Sequence, residues 1–180
     1  MISNLYYNLD LKTISLLKQD ILDYSKTYSN NQLTNSYNIP KNLQPAIQEE
    51  FNNYGFGEIS NVLIFKRFYK HKGYFMTHID DKNISIVLPI TGCENTAQYW
   101  YTGEYTTLYQ YIMKGYGFHR LIWKSPGYFL NEVEIINNPV LCNVSVPHGA
   151  YGNGIITRIT ASIRFKENPT YEEALSRFLC

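Results

Sequence analysis

The sequence predicts a mainly-β domain, a sandwich or jelly-roll barrel entered through N-terminal helices. Three observations carry that expectation. Beyond Glu58 the chain breaks into short runs rich in Val, Ile, Tyr and Phe, separated by Gly, Pro, Asn and Asp. Ahead of that point apolar residues recur at three- and four-residue steps. The run TRITASIRF divides by parity, with Arg158, Thr160, Ser162 and Arg164 on one face and Ile159, Ala161, Ile163 and Phe165 on the other.

In chain order, Leu11, Ile14, Leu17, Ile21 and Leu22 predict an amphipathic helix over 11–28, which the polar stretch SNNQLTNSYNIP then breaks. A second helix is expected over 43–54, with Pro45 acceptable in its first turn and Gly55 as its stop. The strands expected after it are NVLIFKRFY, GYFMTHID, ISIVLPI, AQYWYT, PGYFLNEVEI, VLCNVSV and TRITASIRF, and NPTYEEALSRFLC closes the chain as a short helix. No internal repeat points to a propeller or solenoid. Two arginines on one inward strand face are costly inside an ordinary sandwich core, so that face is expected to line a polar cavity, with the apolar face against the N-terminal helices.

A chain of 180 residues, 44% hydrophobic and 17% charged, fits one domain over 1–180: a helical support (1–56), a β core (57–166) and a C-terminal tail or helix (167–180). The formal net charge of +1 provides no global field for a nucleic-acid backbone or an anionic membrane. The first twenty residues lack the basic leader and apolar stretch of a secretory signal, and no apolar run is long enough to span a bilayer, so a cytoplasmic, soluble protein is expected. Cys93, Cys142 and Cys180 are odd in number and widely spaced, which suits buried free thiols in a reducing compartment and argues against structural zinc.

The chemistry is expected at GYFMTHIDD. His78 and Asp80 are separated by one residue, so on an extended strand they project to the same side and can meet one ion. His148, in NVSVPHGAYG, stands at the end of another predicted strand. Two imidazoles and one carboxylate form a facial triad that occupies half an octahedron and leaves three positions open, the pattern of non-haem Fe(II) sites. By itself His-x-Asp is also common as a surface pair. His71, in the basic run KRFYKHKG, and His119, after KGYGF, have no carboxylate at ligand spacing and are read as solvated; Asp81 is expected to point away from the metal face as an Asx cap. Ten residues beyond His148, Arg158 and Thr160 share a face, and a guanidinium fork beside a hydroxyl suits a carboxylate.

The order His78-x-Asp80, His148 and Arg158-x-Thr160 resembles the 2-oxoglutarate/Fe(II)-dependent dioxygenase superfamily over about 62–165. Within it, FYKHKGYFMTHID and PVLCNVSVPHGAYGNGIITRITASIRF look most like the prolyl-hydroxylase-like branch. The resemblance implies a double-stranded β-helix. It also implies Fe(II) on His78, Asp80 and His148, with 2-oxoglutarate and O2 as co-substrates and ascorbate as an accessory reductant. Arg158 and Thr160 would hold the far carboxylate of 2-oxoglutarate, with Tyr69 as a candidate second contact. Oxidative decarboxylation would accompany hydroxylation of a C–H bond in a peptide prolyl residue, an amino acid or a small metabolite.

Weaker features have two readings each. Asn143 is either a ligand contact or a bulge or edge residue. Trp100, Tyr101 and Tyr105 either line a substrate pocket or fill a core, and packing is the commoner use. The run Lys66, Arg67, Lys70, His71 and Lys72 either meets an acidic partner or protects a sheet edge. Arg164, six residues after Arg158, also fits the paired arginines of alkylation-repair demethylases, although 16 basic against 15 acidic residues gives little grip on a phosphate backbone. A cupin-like metal-binding module without 2-oxoglutarate turnover is the remaining alternative, and it would make Arg158 dispensable.

Overall fold

The computed structural model of the chain describes residues 5–27, 34–69, 73–74, 77–113, 116–124, 128–133 and 138–180. The expected first helix is two helices, α1 (Lys12–Leu16) and α2 (Lys18–Lys26). They meet at Leu17, whose N–H bonds the Ile14 carbonyl at 3.1 Å, a three-residue closure that tightens the turn. The apolar stripe survives the break, with Leu11, Ile14 and Ile21 buried, while Tyr28 lies outside the described residues. A 3-10 turn (Lys41–Leu43) leads into α3 (Gln44–Asn52), with Pro45 in the first turn and Gly55 beyond its end. Helix α4 (Tyr171–Leu179) is started by a capping box in which Thr170 and Glu173 each accept from the other's backbone N–H.

The body is mainly β, two antiparallel sheets with few helices, an arrangement compatible with a jelly roll. The first sheet has the order β1 (Tyr6–Asn8), β11 (Val140–Asn143), β6 (Ile84–Thr91), β13 (Ile156–Phe165), β3 (Ile59–Tyr69), β2 (Thr34–Asn38). The second runs β10 (Tyr128–Val133), β7 (Thr96–Thr102), β12 (His148–Gly152), β5 (His78–Asp80), β9 (Tyr116–Trp123), β8 (Tyr105–Met113), with β4 (Gly73–Tyr74) beside β12. Strands β8 and β9 lie outside the expected list, and β1 and β2 are not signalled by the sequence. The latter two are edge strands with one neighbour each, and β2 falls inside the polar stretch read as a break; an edge strand tolerates such residues because only one side of its backbone is paired.

Alternation along β6 and β13 assigns the faces of the first sheet. Ile84, Ile86 and Leu88, with Ile159, Ala161, Ile163 and Phe165, join one buried cluster with Leu11, Ile14 and Ile21 of the N-terminal helical region, Ile47 and Phe51 of α3, and Ala174 and Leu175 of α4. Burying side chains of this size contributes about 1.5–3 kcal/mol each, so this cluster anchors β13. The opposite face of the same strands, carrying Ser85, Val87, Arg158, Thr160, Ser162 and Arg164, looks toward the second sheet across a cavity. A cavity on the arginine-bearing face of β13 is present as its parity predicts, but its wall is mainly apolar, with the charged and hydroxyl groups set into it.

Gly92, just past β6, fixes how closely the chain passes the backbone next to Arg158. Its φ is +62°, and a Cβ there would lie 2.0 Å from the Thr157 carbonyl oxygen. Gly92→Ala is expected to destabilise the protein by about 2 kcal/mol or more through both effects. A urea midpoint equal to that of the unaltered protein would contradict this packing.

Candidate metal centre and anion pocket

His78, Asp80 and His148 converge because two chain segments lock together at the end of β5. The Asp80 N–H donates to the Val144 carbonyl at 3.1 Å, and the Val144 N–H donates to that of Asn83 at 2.9 Å. The turn that follows ends at Pro147, which has no N–H for a ladder, so β12 begins at His148. The sequence expectation that His148 ends a strand is corrected accordingly. His148 opens β12 directly opposite His78 in the register, and on β5 His78 and Asp80 are buried while Ile79 between them is half-buried.

The three ligand-capable atoms all lie within 4.8 Å of one another. Asp80 Oδ1 is 3.4 Å from His78 Nε2, and Asp80 Oδ2 is 3.6 Å from His148 Nε2. Two donors at right angles on an ion at about 2.1 Å are about 3 Å apart, so a small inward movement satisfies a metal. His148 Nδ1 lies 3.0 Å from the Val146 carbonyl. That contact places the proton on Nδ1 and leaves the Nε2 lone pair directed at the site. Burial, reinforced by neighbouring His78, lowers the His148 pKa to about 4, so the ring is neutral and ready to ligate at ordinary pH.

The two inward arginines have different surroundings. Arg164 Nη2 pairs with Asp80 Oδ2, and its Nη1 lies 3.5 Å from Asp81 Oδ1. Asp81 therefore turns toward Arg164 and not away from the cluster as expected. Arg158 is 5% exposed, and its Nε has no hydrogen-bond partner among the described residues. Cys93 lies beside it, its thiol raised above the usual range by burial while the nearby Arg158 acts in the opposite direction. A cation this deeply buried with no carboxylate among its described contacts is electrostatically suited to an anion. Thr160, also buried, lines the same cavity, as do His78, Asp80 and His148.

Phe65, Val87, Phe118, Val144 and Ala150 supply apolar wall, and Gln98 adds an amide. The cavity volume is about 150 Å³, room for about ten waters. Arg67, read from sequence only as part of a basic run, lines it too and is the direct cross-strand partner of Arg158. Parity along NVLIFKRFY, which puts Phe65 and Arg67 on one face, is the signal that finds it.

Other candidates fall elsewhere. Tyr69 does not line the cavity: its ring sits where a Cβ on Gly152 would come within 2.6 Å, and its hydroxyl is 3.5 Å from Arg67 Nη1. Asn143 turns its side-chain oxygen to the Ser145 hydroxyl at 2.7 Å, so it shapes the turn before His148. Trp100 is fully buried with Val140, Cys142 and Val144, stacks on Tyr6 and donates Nε1–H to the Asn143 carbonyl, the packing role. Tyr101 and Tyr105 both contact the Trp123 ring. His119 is half-buried on β9 and by alternation faces away from the cavity wall residue Phe118. His71, Lys70 and Lys72 lie outside the described residues. Cys93 and Cys142 are buried and unpaired, whereas Cys180 is exposed. Among the described residues no helix is long and apolar enough to cross a membrane.

No protein-family model and no curated protein matches the chain. Among solved structures it is similar to E. coli ycfD, with 14% identity and a TM-score of 0.39 over 74% of this chain; it spans 32% of that chain's length. It is also similar to a Pseudomonas putida prolyl-4-hydroxylase, with 8% identity and a TM-score of 0.42, covering 90% of this chain and 93% of that one. At these scores neither similarity bears on function.

The lowered His148 pKa has a sign that unfolding measurements reveal. Between pH 6.5 and about 4 the unfolded ring binds a proton that the folded ring refuses. The stability of the metal-free protein is therefore expected to be unaffected by this group above pH 6.5 and to fall by about 3 kcal/mol as pH drops through that window. Urea titrations across the window should show a shallower acid limb in His148→Gln, and identical limbs would rule out a buried neutral imidazole.

Proposed function

We propose that this protein is an Fe(II)- and 2-oxoglutarate-dependent oxygenase built on a double-stranded β-helix. The reading is carried by one juxtaposition: a buried His-Asp-His cluster and a buried arginine with no described carboxylate share a single cavity. The donor set fits a divalent ion that needs open positions, and the orphaned Nε of Arg158 fits a carboxylate-bearing co-substrate. A metal-binding module without a co-substrate gives no account of that arginine.

Fe(II) with 2-oxoglutarate and O2, when bound, supplies oxidative decarboxylation coupled to hydroxylation of a C–H bond. This chain's residues then have distinct tasks. His78, Asp80 and His148 approach from one side and leave the opposite side open. Arg158 and Thr160 take the far carboxylate and orient the co-substrate. Phe65, Val87, Phe118 and Val144 exclude water, which strengthens every charged contact inside. Arg67 puts a second guanidinium on the same wall. The substrate is assigned as a peptide prolyl residue, an amino acid or a small metabolite. Arg164, engaged with Asp80 and Asp81, needs no nucleic-acid base to explain it, so the demethylase reading loses the feature that suggested it.

Anaerobic protein with Fe(II) and 2-oxoglutarate is expected to develop a visible metal-to-ligand charge-transfer band. His78→Ala should abolish the band. Arg158→Ala should weaken 2-oxoglutarate binding by about 10–100-fold, the loss of a charged hydrogen-bonded contact. Unchanged co-substrate affinity in Arg158→Ala would sink the assignment.

A further inference from the structure

We propose that Arg164 is a positioning residue for the metal, holding Asp80 as a one-oxygen ligand through a clamp shared with Asp81. The inference rests on the metal-centre reading above and adds to it the control of how many positions the ion keeps open.

Adjacent residues on an extended strand point to opposite faces, so the two carboxylates of Asp80 and Asp81 should diverge. They do not. Strand β5 ends at Asp80 and the chain bends through 81–83, which brings the Asp81 carboxylate round to Arg164 Nη1 at 3.5 Å while Nη2 of the same fork pairs with Asp80 Oδ2. The third nitrogen is also committed, since Nε lies 3.4 Å from the Ser162 hydroxyl, itself 2.6 Å from that of Ser85. The outer half of the clamp is closely fitted. The Asp81 N–H donates to the Gly117 carbonyl at 3.0 Å, and a Cβ on Gly117 would come within 2.7 Å of Asp81 Oδ2.

Both Asp80 oxygens face the cluster, Oδ1 toward His78 Nε2 and Oδ2 toward His148 Nε2, but Oδ2 is also held by the guanidinium, which leaves Oδ1 as the oxygen for the ion. One oxygen and two imidazoles fill half an octahedron. If Asp80 released Arg164 and gave both oxygens, a fourth position would be taken, and a chelating co-substrate and O2 would no longer fit together. Arg suits the task better than Lys because its planar fork meets two carboxylates in fixed directions.

The test uses Co(II) as a visible probe bound to the full chain. Arg164→Met is expected to weaken Co(II) binding by about 10–100-fold, as loss of a partner to a ligand does, and to change the visible spectrum at saturation. Arg164→Lys should recover part of the affinity but not the spectrum. Asp81→Asn, at an exposed position that does not endanger folding, should shift the spectrum in the same direction with a smaller loss, and it decides the matter if Arg164→Met does not fold. Saturated spectra of Arg164→Met and Asp81→Asn that match the unaltered protein, whatever their melting temperatures, overturn the role of Arg164 alone. Failure of the unaltered protein to bind Co(II) overturns the metal centre and takes this inference with it.

Discussion

A buried charge must find an opposite charge, and the interior between the two sheets is organised by that constraint. Strand β13 sends two guanidinium groups into the space between the sheets, at positions 5% and 3% exposed. Leaving either unpaired costs several kcal/mol. Arg164 is satisfied within the fold by Asp80 and Asp81. Arg158 has no such internal carboxylate among the described residues, so two residues on one strand face meet different electrostatic surroundings.

The rest of the architecture keeps β13 in place. Its apolar side is fixed by Leu11, Ile14, Ile47 and Phe51 from the helical layer, so the strand cannot rotate to expose its arginines without opening the main core. Facing it, the second sheet supplies the imidazoles from β5 and β12. These neighbouring strands are tied to the first sheet through the hydrogen bond between Asp80 and Val144. The cavity is thus bounded on one side by cations and hydroxyls and on the other by the imidazoles and carboxylate of the His-Asp-His cluster, with apolar residues between them.

Much of this was legible in the sequence wherever period and chemistry coincided. The parity of TRITASIRF declared both faces of β13, and the His-x-Asp spacing declared a common side for two ligands. Legibility failed where a residue's role depends on a partner far along the chain. Arg67 reads as one of several surface cations until β3 is paired with β13, when it becomes the neighbour of Arg158. Tyr69 shares its strand parity but lies at the strand end, where the ring packs against Gly152 and is not among the residues that line the cavity. Trp100 and Asn143 look like pocket residues singly, and together they form a packing contact that supports the turn before His148. The edge strands β1 and β2 were missed because edges are selected for polarity and brevity, which erases the alternation that reveals inner strands.

The register that sets His148 opposite His78 joins positions 70 residues apart. Closing a loop of that length costs about 4 kcal/mol of chain entropy, and pairing this distant in sequence forms slowly. A chain folded only through β9 therefore holds two of the three residues of the cluster, and the third joins when β12 pairs with β5. The His-Asp-His cluster is in this way complete only once the second sheet has assembled around β12.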